Sequence, residues 1–70
     1  MKELNRIKKI YGEEMMRLCR ELFPSILEKE GLLLSILEEN LAPTHSFASD
    51  IRENELEEEF KNWIYSFIIV

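Results

Sequence analysis

The chain contains one cysteine, Cys19, and one histidine, His45, among its 70 residues. A lone cysteine cannot form an intrachain disulfide, so no crosslink supports the fold and a reducing, cytoplasmic setting is expected. One Cys and one His cannot supply the four ligands of a structural zinc site, and no third group stands out to orient them as a nucleophile and base. The sequence therefore predicts no metal, no cofactor, no small-molecule substrate and no catalytic residue, and we expect a protein that is not an enzyme.

Long apolar stretches are also missing. A membrane-spanning helix needs roughly 20 consecutive apolar residues, and the longest nearly apolar stretch, residues 63–70, is far shorter. The first thirty residues carry charges throughout, which excludes a secretory signal. We expect a soluble protein that does not contact a membrane.

Positive charge is scarce, with nine Lys and Arg residues against 14 Asp and Glu residues and a net charge of −5. This deficit argues against nucleic acid as a partner, because phosphate binding depends on clustered cations. The cations that exist are concentrated early: residues 1–20 hold six basic and three acidic groups, and the remaining residues hold three basic and eleven acidic groups. The asymmetry predicts that the two ends of the chain attract each other.

What the sequence does contain is apolar residues at helical spacing. In the first segment they are Leu4, Ile7, Tyr11, Met15, Leu18 and Leu22. Their steps of three and four predict an amphipathic helix over residues 2–23. Gly12 lies inside it and makes a bend or a close helix contact possible there, and Phe23 should end it because Pro24 follows.

Residues 24–41 keep helical spacing through Gly31, where we favour a break or a bend. The apolar density of residues 32–37 predicts burial on more than one side of this segment. After Pro43, Thr44 is predicted to cap a short helix that ends near Arg52 and turns Phe47 and Ile51 inward.

A final helix is predicted after Asn54, whose side chain and that of Glu57 have the spacing of a capping box. Its predicted inward side chains are Leu56, Phe60, Trp63, Ile64, Phe67 and Ile68. No segment alternates with period two for long enough to predict a strand. The expected fold is all-α, a compact bundle of four to five short antiparallel helices in one domain over residues 1–70.

The last helix has apolar residues beyond that predicted stripe. Tyr65 and Ile69 are expected to point away from it, so the helix is apolar around most of its circumference, which is typical of an association surface. The residues predicted to form this association face are Phe60, Trp63, Ile64, Tyr65, Phe67, Ile68 and Ile69. The alternative is that residues 32–37 cover both sides of the helix within one chain.

Two charged surfaces are also predicted. The first is a basic strip on the exposed side of the first helix, formed by Lys2, Arg6, Lys9, Arg17 and Arg20. It suits an acidic partner or a nucleic-acid backbone, but a solvated face paired within the chain is the favoured interpretation.

The second surface is an acidic run that includes Glu55, Glu58 and Glu59. Consecutive helical positions point in different directions, so these carboxylates cannot converge on one metal ion. Helix capping and solubility explain the run best, and a docking surface for a basic partner is the alternative.

Three short strings, Cys19–Pro24, Glu30–Leu32 and Leu56–Asn62, together with Asp50-Ile51, resemble the opening segment of longer uncharacterised bacterial proteins. The resemblance spans most of the chain and implies no activity. It implies that those proteins continue into a further domain, which would cover residues 65, 69 and 70 in place of a second copy.

The sequence as a whole predicts a non-enzymatic protein-interaction module that forms a homodimer or docks on a larger protein through its last helix. The alternative is a small acidic inhibitor of a nucleic-acid-binding protein, such as an antitoxin or a phage-encoded anti-defence protein, that places residues 53–59 in a basic groove. A third reading is a helical DNA-binding domain that uses the basic strip.

Overall fold

The structure, a computed structural model, describes residues 2–68, and its regular secondary structure in that range is entirely helical. The helices are α1 (Lys2–Tyr11), α2 (Glu13–Leu22), α3 (Pro24–Leu27), α4 (Leu32–Asn40), α5 (Phe47–Glu53) and α6 (Glu57–Ser66). The all-α prediction is confirmed. The described range holds six helices where four or five were predicted, because the first predicted helix is two helices.

The division falls at Gly12. Its backbone has φ 96° and ψ 167°, a combination that is essentially restricted to glycine. The chain leaves the helical region there, so the prediction of one helix over residues 2–23 is wrong. The turn lets α1 and α2 pack closely against each other.

The predicted boundaries around Pro24 and Gly31 are confirmed. Phe23 lies outside the helical region between α2 and α3, and Pro24 occupies the first turn of α3. Gly31, with φ 89°, separates the turn after α3 from the start of α4. Proline disfavours the helical conformation of the residue before it, and glycine tolerates positive φ. Both residues therefore act as helix boundaries through backbone sterics alone.

The two predicted caps before α5 and α6 are wrong. α5 begins only at Phe47, and the Oγ1 of Thr44 accepts a 3.4 Å hydrogen bond from the backbone N–H of Ser46. Asn54 ends α5, where its side-chain amide donates to the carbonyl of Asp50 at 2.8 Å. The backbone N–H of Asn54 donates to the same carbonyl at 3.1 Å, so Asn54 closes the last turn of α5 through both its backbone and its side chain.

One core is shared by all six helices, and Phe23 joins it from the junction of α2 and α3. Its buried apolar residues are Ile7, Tyr11, Met15, Leu18, Cys19, Phe23, Ile26, Leu27, Leu33, Leu34, Ile36, Leu37, Ala48, Ile51, Phe60 and Ile64. The predicted burial of residues 32–37 on more than one side is confirmed, since only Ser35 in that range is exposed. Within this core, α2 packs against α1, α3 and α5, and α4 packs against α1 and α3.

A glutamate also lies inside. Glu3 on α1 is 2% exposed, and its Oε2 accepts a 2.8 Å hydrogen bond from the backbone N–H of Leu34 in the first turn of α4. The first N–H groups of a helix have no partner within the helix, and a carboxylate suits the positive end of the helix dipole. Glu3 thus caps α4 from another helix, a role that no local sequence pattern reveals because the two residues are 31 positions apart.

Candidate interaction surface

The face that the last helix presents to the core overlaps only in part with the predicted one, and Ile68 packs against the core as expected. Phe60 and Ile64 are buried, at 5% and 0% exposure, as expected. Leu56, Trp63 and Phe67 are 44%, 37% and 39% exposed, so the prediction that they point inward is wrong. We call Trp63, together with Leu56 and Phe67 at the two caps of the helix, the aromatic edge of α6.

Tyr65 explains why α6 is rotated about its axis relative to the predicted orientation. The prediction that it points away from the core is wrong, because its ring meets that of Phe23 edge to face, with centroids 5.8 Å apart. Tyr65 and Ile68 are both half-buried against the core. A helix that turns Tyr65 and Ile68 inward must turn Trp63 and Phe67 outward.

The aromatic edge is anchored to the core by a series of ring contacts. Phe60 meets Phe23 at 5.6 Å and Phe47 at 5.8 Å between centroids. Trp63 lies 6.2 Å from Phe60 and 5.2 Å from Phe67, the latter pair at 79°. The Trp63–Phe67 pair meets edge to face and the Phe60–Trp63 pair is tilted at 36°, and contacts at these separations restrict the rings of the exposed side chains.

The seven residues predicted for association are therefore not on one face. Trp63 and Phe67 are accessible, Phe60 and Ile64 belong to the core, and Tyr65 and Ile68 are half-buried. Residue 69 lies outside the described range. Leu56, which the sequence analysis placed inward, joins Trp63 and Phe67 at the surface instead.

The acidic run lies next to this edge. Glu55, Glu58 and Glu59 are all exposed. Within residues 2–68, no basic nitrogen lies within 4.0 Å of any of the three carboxylates. The predicted attraction between the basic start of the chain and this acidic helix is thus not realised as an ion pair in that range.

The predicted basic strip is divided. Gly12 separates Lys2, Arg6 and Lys9 on α1 from Arg17 and Arg20 on α2, so the prediction of a single helix face is wrong. All five remain exposed. The Arg17 guanidinium lies 3.5 Å from a carboxylate oxygen of Glu13 and 3.7 Å from one of Glu14.

Two of the α1 cations have carboxylates nearby on other elements. Lys2 shares a shallow surface depression with Glu28 and Glu30, and Arg6 shares another with Glu38 and Glu39. Lys2 and Arg6 thus lie on the α3–α4 side of the molecule.

Cys19 and His45 occupy different environments. Cys19 is fully buried, and burial, followed by the charge of Glu3, raises the pKa of its thiol from 9.0 to about 12. Its nucleophilic thiolate is therefore absent near neutral pH. His45 is exposed and lies against Gly12, where a Cβ would come within 3.2 Å of the imidazole Cγ.

Comparisons of the chain with family models, with curated proteins and with solved structures found no match. The resemblance to longer bacterial proteins stays a prediction. The longest helices among residues 2–68 have ten residues, and none there has the length and apolar character needed to cross a bilayer. In the same range, no three His, Cys, Asp or Glu side chains are grouped as metal ligands.

Proposed function

We propose that this chain is a non-enzymatic protein-interaction module that forms a homodimer or docks on a larger protein through the aromatic edge of α6. The observation that carries the proposal is the exposure of Trp63 and Phe67 as one contacting pair. The proposed setting is the cytoplasm, where the unpaired Cys19 stays reduced.

The energetics of association favour this surface. Trp and other large aromatic residues dominate the affinity of protein interfaces because each removes a large apolar area from water. The rings of Trp63 and Phe67 already contact each other and, through Phe60, the core. Little side-chain freedom is lost when such residues bind, so more of the burial free energy is kept as affinity.

Light scattering after size-exclusion chromatography tests self-association through this edge. Measured from micromolar to millimolar concentration, a homodimer would double the mass, and Phe67→Ser would return it to that of one chain. Ile10→Ser is the control for loss of an apolar side chain outside the edge, because Ile10 lies on α1, half-buried against the core.

A fluorescence titration tests docking on another protein, because Trp63 is the only tryptophan. Burial of its indole in an interface shifts the emission to shorter wavelength. If the chain stays a monomer and no added partner or peptide shifts the emission, the proposal is refuted.

The second candidate is a small acidic inhibitor of a nucleic-acid-binding protein. It is favoured by the exposed carboxylates of Glu55, Glu58 and Glu59, which have no cation within 4.0 Å inside residues 2–68. Unneutralised carboxylates along one end of a molecule can occupy a groove that normally receives phosphates.

Competition distinguishes this second candidate. A protein captured from native lysate by the immobilised chain should be released by duplex DNA if the acidic run occupies its nucleic-acid groove. Capture that is insensitive to duplex DNA but lost in Phe67→Ser would exclude the inhibitor and favour the aromatic edge.

A further inference from the structure

We propose that the occupant of the aromatic edge is a protein segment whose apolar side chains are bordered by lysine and arginine, and not a second copy of this chain. This inference rests on the proposed function and adds the chemistry of the partner. It follows from the charges that surround Leu56, Trp63 and Phe67.

The part of the molecule that carries the edge is strongly acidic. Residues 47–66, which include α5 and α6, contain six carboxylates and two cations, a net charge of −4. One of those cations, Arg52, points toward α2, where it lies 3.1 Å from Glu21 and 4.0 Å from Glu14. The other, Lys61, is half-buried.

The helical geometry assigns particular charges to the border of the edge. Glu59 precedes Trp63 by four residues, so the two side chains share one side of α6, whereas Lys61 and Glu58 project elsewhere around the axis. Glu59 is exposed and has no cation within 4.0 Å among residues 2–68. The charge beside the exposed indole on α6 is therefore negative.

This border disfavours a symmetric pair of identical chains. In a two-fold dimer the same patch meets itself, so an α6–α6 contact would bring the Glu59 border and a region of charge −4 against their own copies. Like charges that face each other across an interface cost binding free energy, and desolvation of the two patches adds to that cost.

A basic amphipathic segment can both cover the apolar side chains of the edge and neutralise the carboxylates beside it. Its apolar side chains cover Leu56, Trp63 and Phe67, and its cations meet carboxylates that have no partner in the described part of the chain. The long methylene stems of lysine and arginine also cover apolar surface next to the charge. Apolar contact supplies the affinity, and charge selects the partner.

The test is a titration of the full chain, followed by Trp63 fluorescence, with a designed helical peptide that has leucines on one face and lysines and arginines on the other. The comparison peptide carries glutamates in place of the cations. We expect a saturable shift of the emission to shorter wavelength with the basic peptide and none with the acidic one. Phe67→Ser, which keeps the fluorophore, should weaken binding about tenfold or more.

The matched pair Glu59→Gln and Glu58→Gln tests the border itself. Both residues are exposed, lie in the first turn of α6 and change the net charge equally, but only Glu59 lies beside Trp63. We expect Glu59→Gln to weaken binding several-fold and Glu58→Gln to leave it nearly unchanged. Far-ultraviolet circular dichroism of each variant checks that the helices are intact.

The remaining outcomes separate this inference from the proposed function. Equal losses of affinity in the two glutamine variants would mean that net charge alone explains the binding, which would overturn the inference. Equal binding of the acidic and basic peptides would overturn it as well. A homodimer that is lost in Phe67→Ser, in a chain that binds neither peptide, would keep the proposed function and overturn the inference. A monomer that binds neither peptide would refute both.

Discussion

Glu3 shows how one side chain can connect two distant elements. Its carboxylate is buried, one oxygen accepts the Leu34 N–H, and the other, Oε1, is buried without a hydrogen-bond partner within the described residues. A buried charge is costly unless it is hydrogen-bonded, and the positive end of α4 offsets part of that cost. Removal of Glu3 would leave the Leu34 N–H buried and without an acceptor.

We therefore expect Glu3→Ala to lower the free energy of unfolding by about 1–3 kcal/mol. Glu3→Gln retains an acceptor oxygen of the same reach, so its loss should be smaller. Urea denaturation followed by circular dichroism measures both, with the exposed Glu28→Ala as the control. Equal losses in the alanine and glutamine variants would show that the hydrogen bond to α4 does not contribute.

Cys19 is the second residue whose chemistry is set by its surroundings. Burial raises the pKa of the thiol to about 12, so the folded state retains the proton where an unfolded thiol loses it. Between pH 9 and pH 12 the unfolded state binds fewer protons than the folded state. By linkage, this contribution to stability is fully present below pH 9 and is lost as the pH rises toward 12.

We expect the free energy of unfolding to fall with rising pH above 9, and Cys19→Val to reduce the slope. Burial also raises the pKa of Tyr11, which contributes a slope of the same sign in both proteins. Denaturant titrations at several alkaline pH values measure the difference. Identical slopes in the two proteins would contradict a raised pKa at Cys19.

At the scale of the elements, Gly12 and Gly31 differ in the space available for a side chain. Both have positive φ, but a Cβ at Gly12 would lie 3.2 Å from the Cγ of His45, whereas nothing lies within 4 Å of a Cβ at Gly31. Gly12 thus joins α1 to α2 through its backbone conformation and also admits the loop that carries His45.

We expect Gly12→Ala to destabilise the fold by about 1–3 kcal/mol and Gly31→Ala by about 1 kcal/mol. Combining Gly12→Ala with His45→Ala should recover the part of the loss that is due to crowding and leave the backbone part. Thermal denaturation of the set distinguishes the two contributions. If the double variant is no more stable than the two single losses predict, the contact with His45 is not a source of strain.

The rotation of α6 is the element-scale feature on which the proposed function depends. We expect Ile64→Ala, at a fully buried position, to cost about 2–5 kcal/mol. Phe67→Ala, at an exposed position, should cost less than about 1 kcal/mol. Chemical denaturation measures both, and similar losses would mean that α6 turns its aromatic edge inward.

At the scale of the whole molecule, the five ion pairs within residues 2–68 do not follow the charge asymmetry of the sequence. Three link Lys8 or Arg17 to glutamates at the start of α2, and two link Arg52 of α5 to glutamates of α2. The ion pairs between helices distant in sequence thus join α2 to α5 through a cation from the acidic part of the chain. α6 keeps its carboxylates free of such pairs in the described range.

The closest of these contacts, at 3.1 Å between Arg52 and Glu21, is largely solvent-exposed. We expect Glu21→Gln to lower the free energy of unfolding by less than about 1 kcal/mol, and the difference to vanish near about 1 M salt. Glu30→Gln is the control. A loss that persists at high salt would indicate a structural role for Glu21 beyond charge.

The helical class, most of the apolar core residues of α1 to α4 and the boundaries at Phe23 and Gly31 follow from the order of the residues alone. These features depend on periodicity and on local backbone sterics, which neighbouring residues decide. The burial of Ile7, Met15 and Leu18 follows from their spacing alone.

Tertiary packing sets the division at Gly12, the cap that Glu3 supplies to α4 and the direction in which α6 faces. A glycine inside an amphipathic pattern is compatible with a continuous helix. The break at Gly12 becomes necessary only because α1 and α2 pack against each other. The apolar residues of α6 cover too much of its circumference for periodicity to select one side. The ring of Phe23, 42 positions before Tyr65, made that selection, because contacts between distant residues depend on how the helices pack and not on their local spacing.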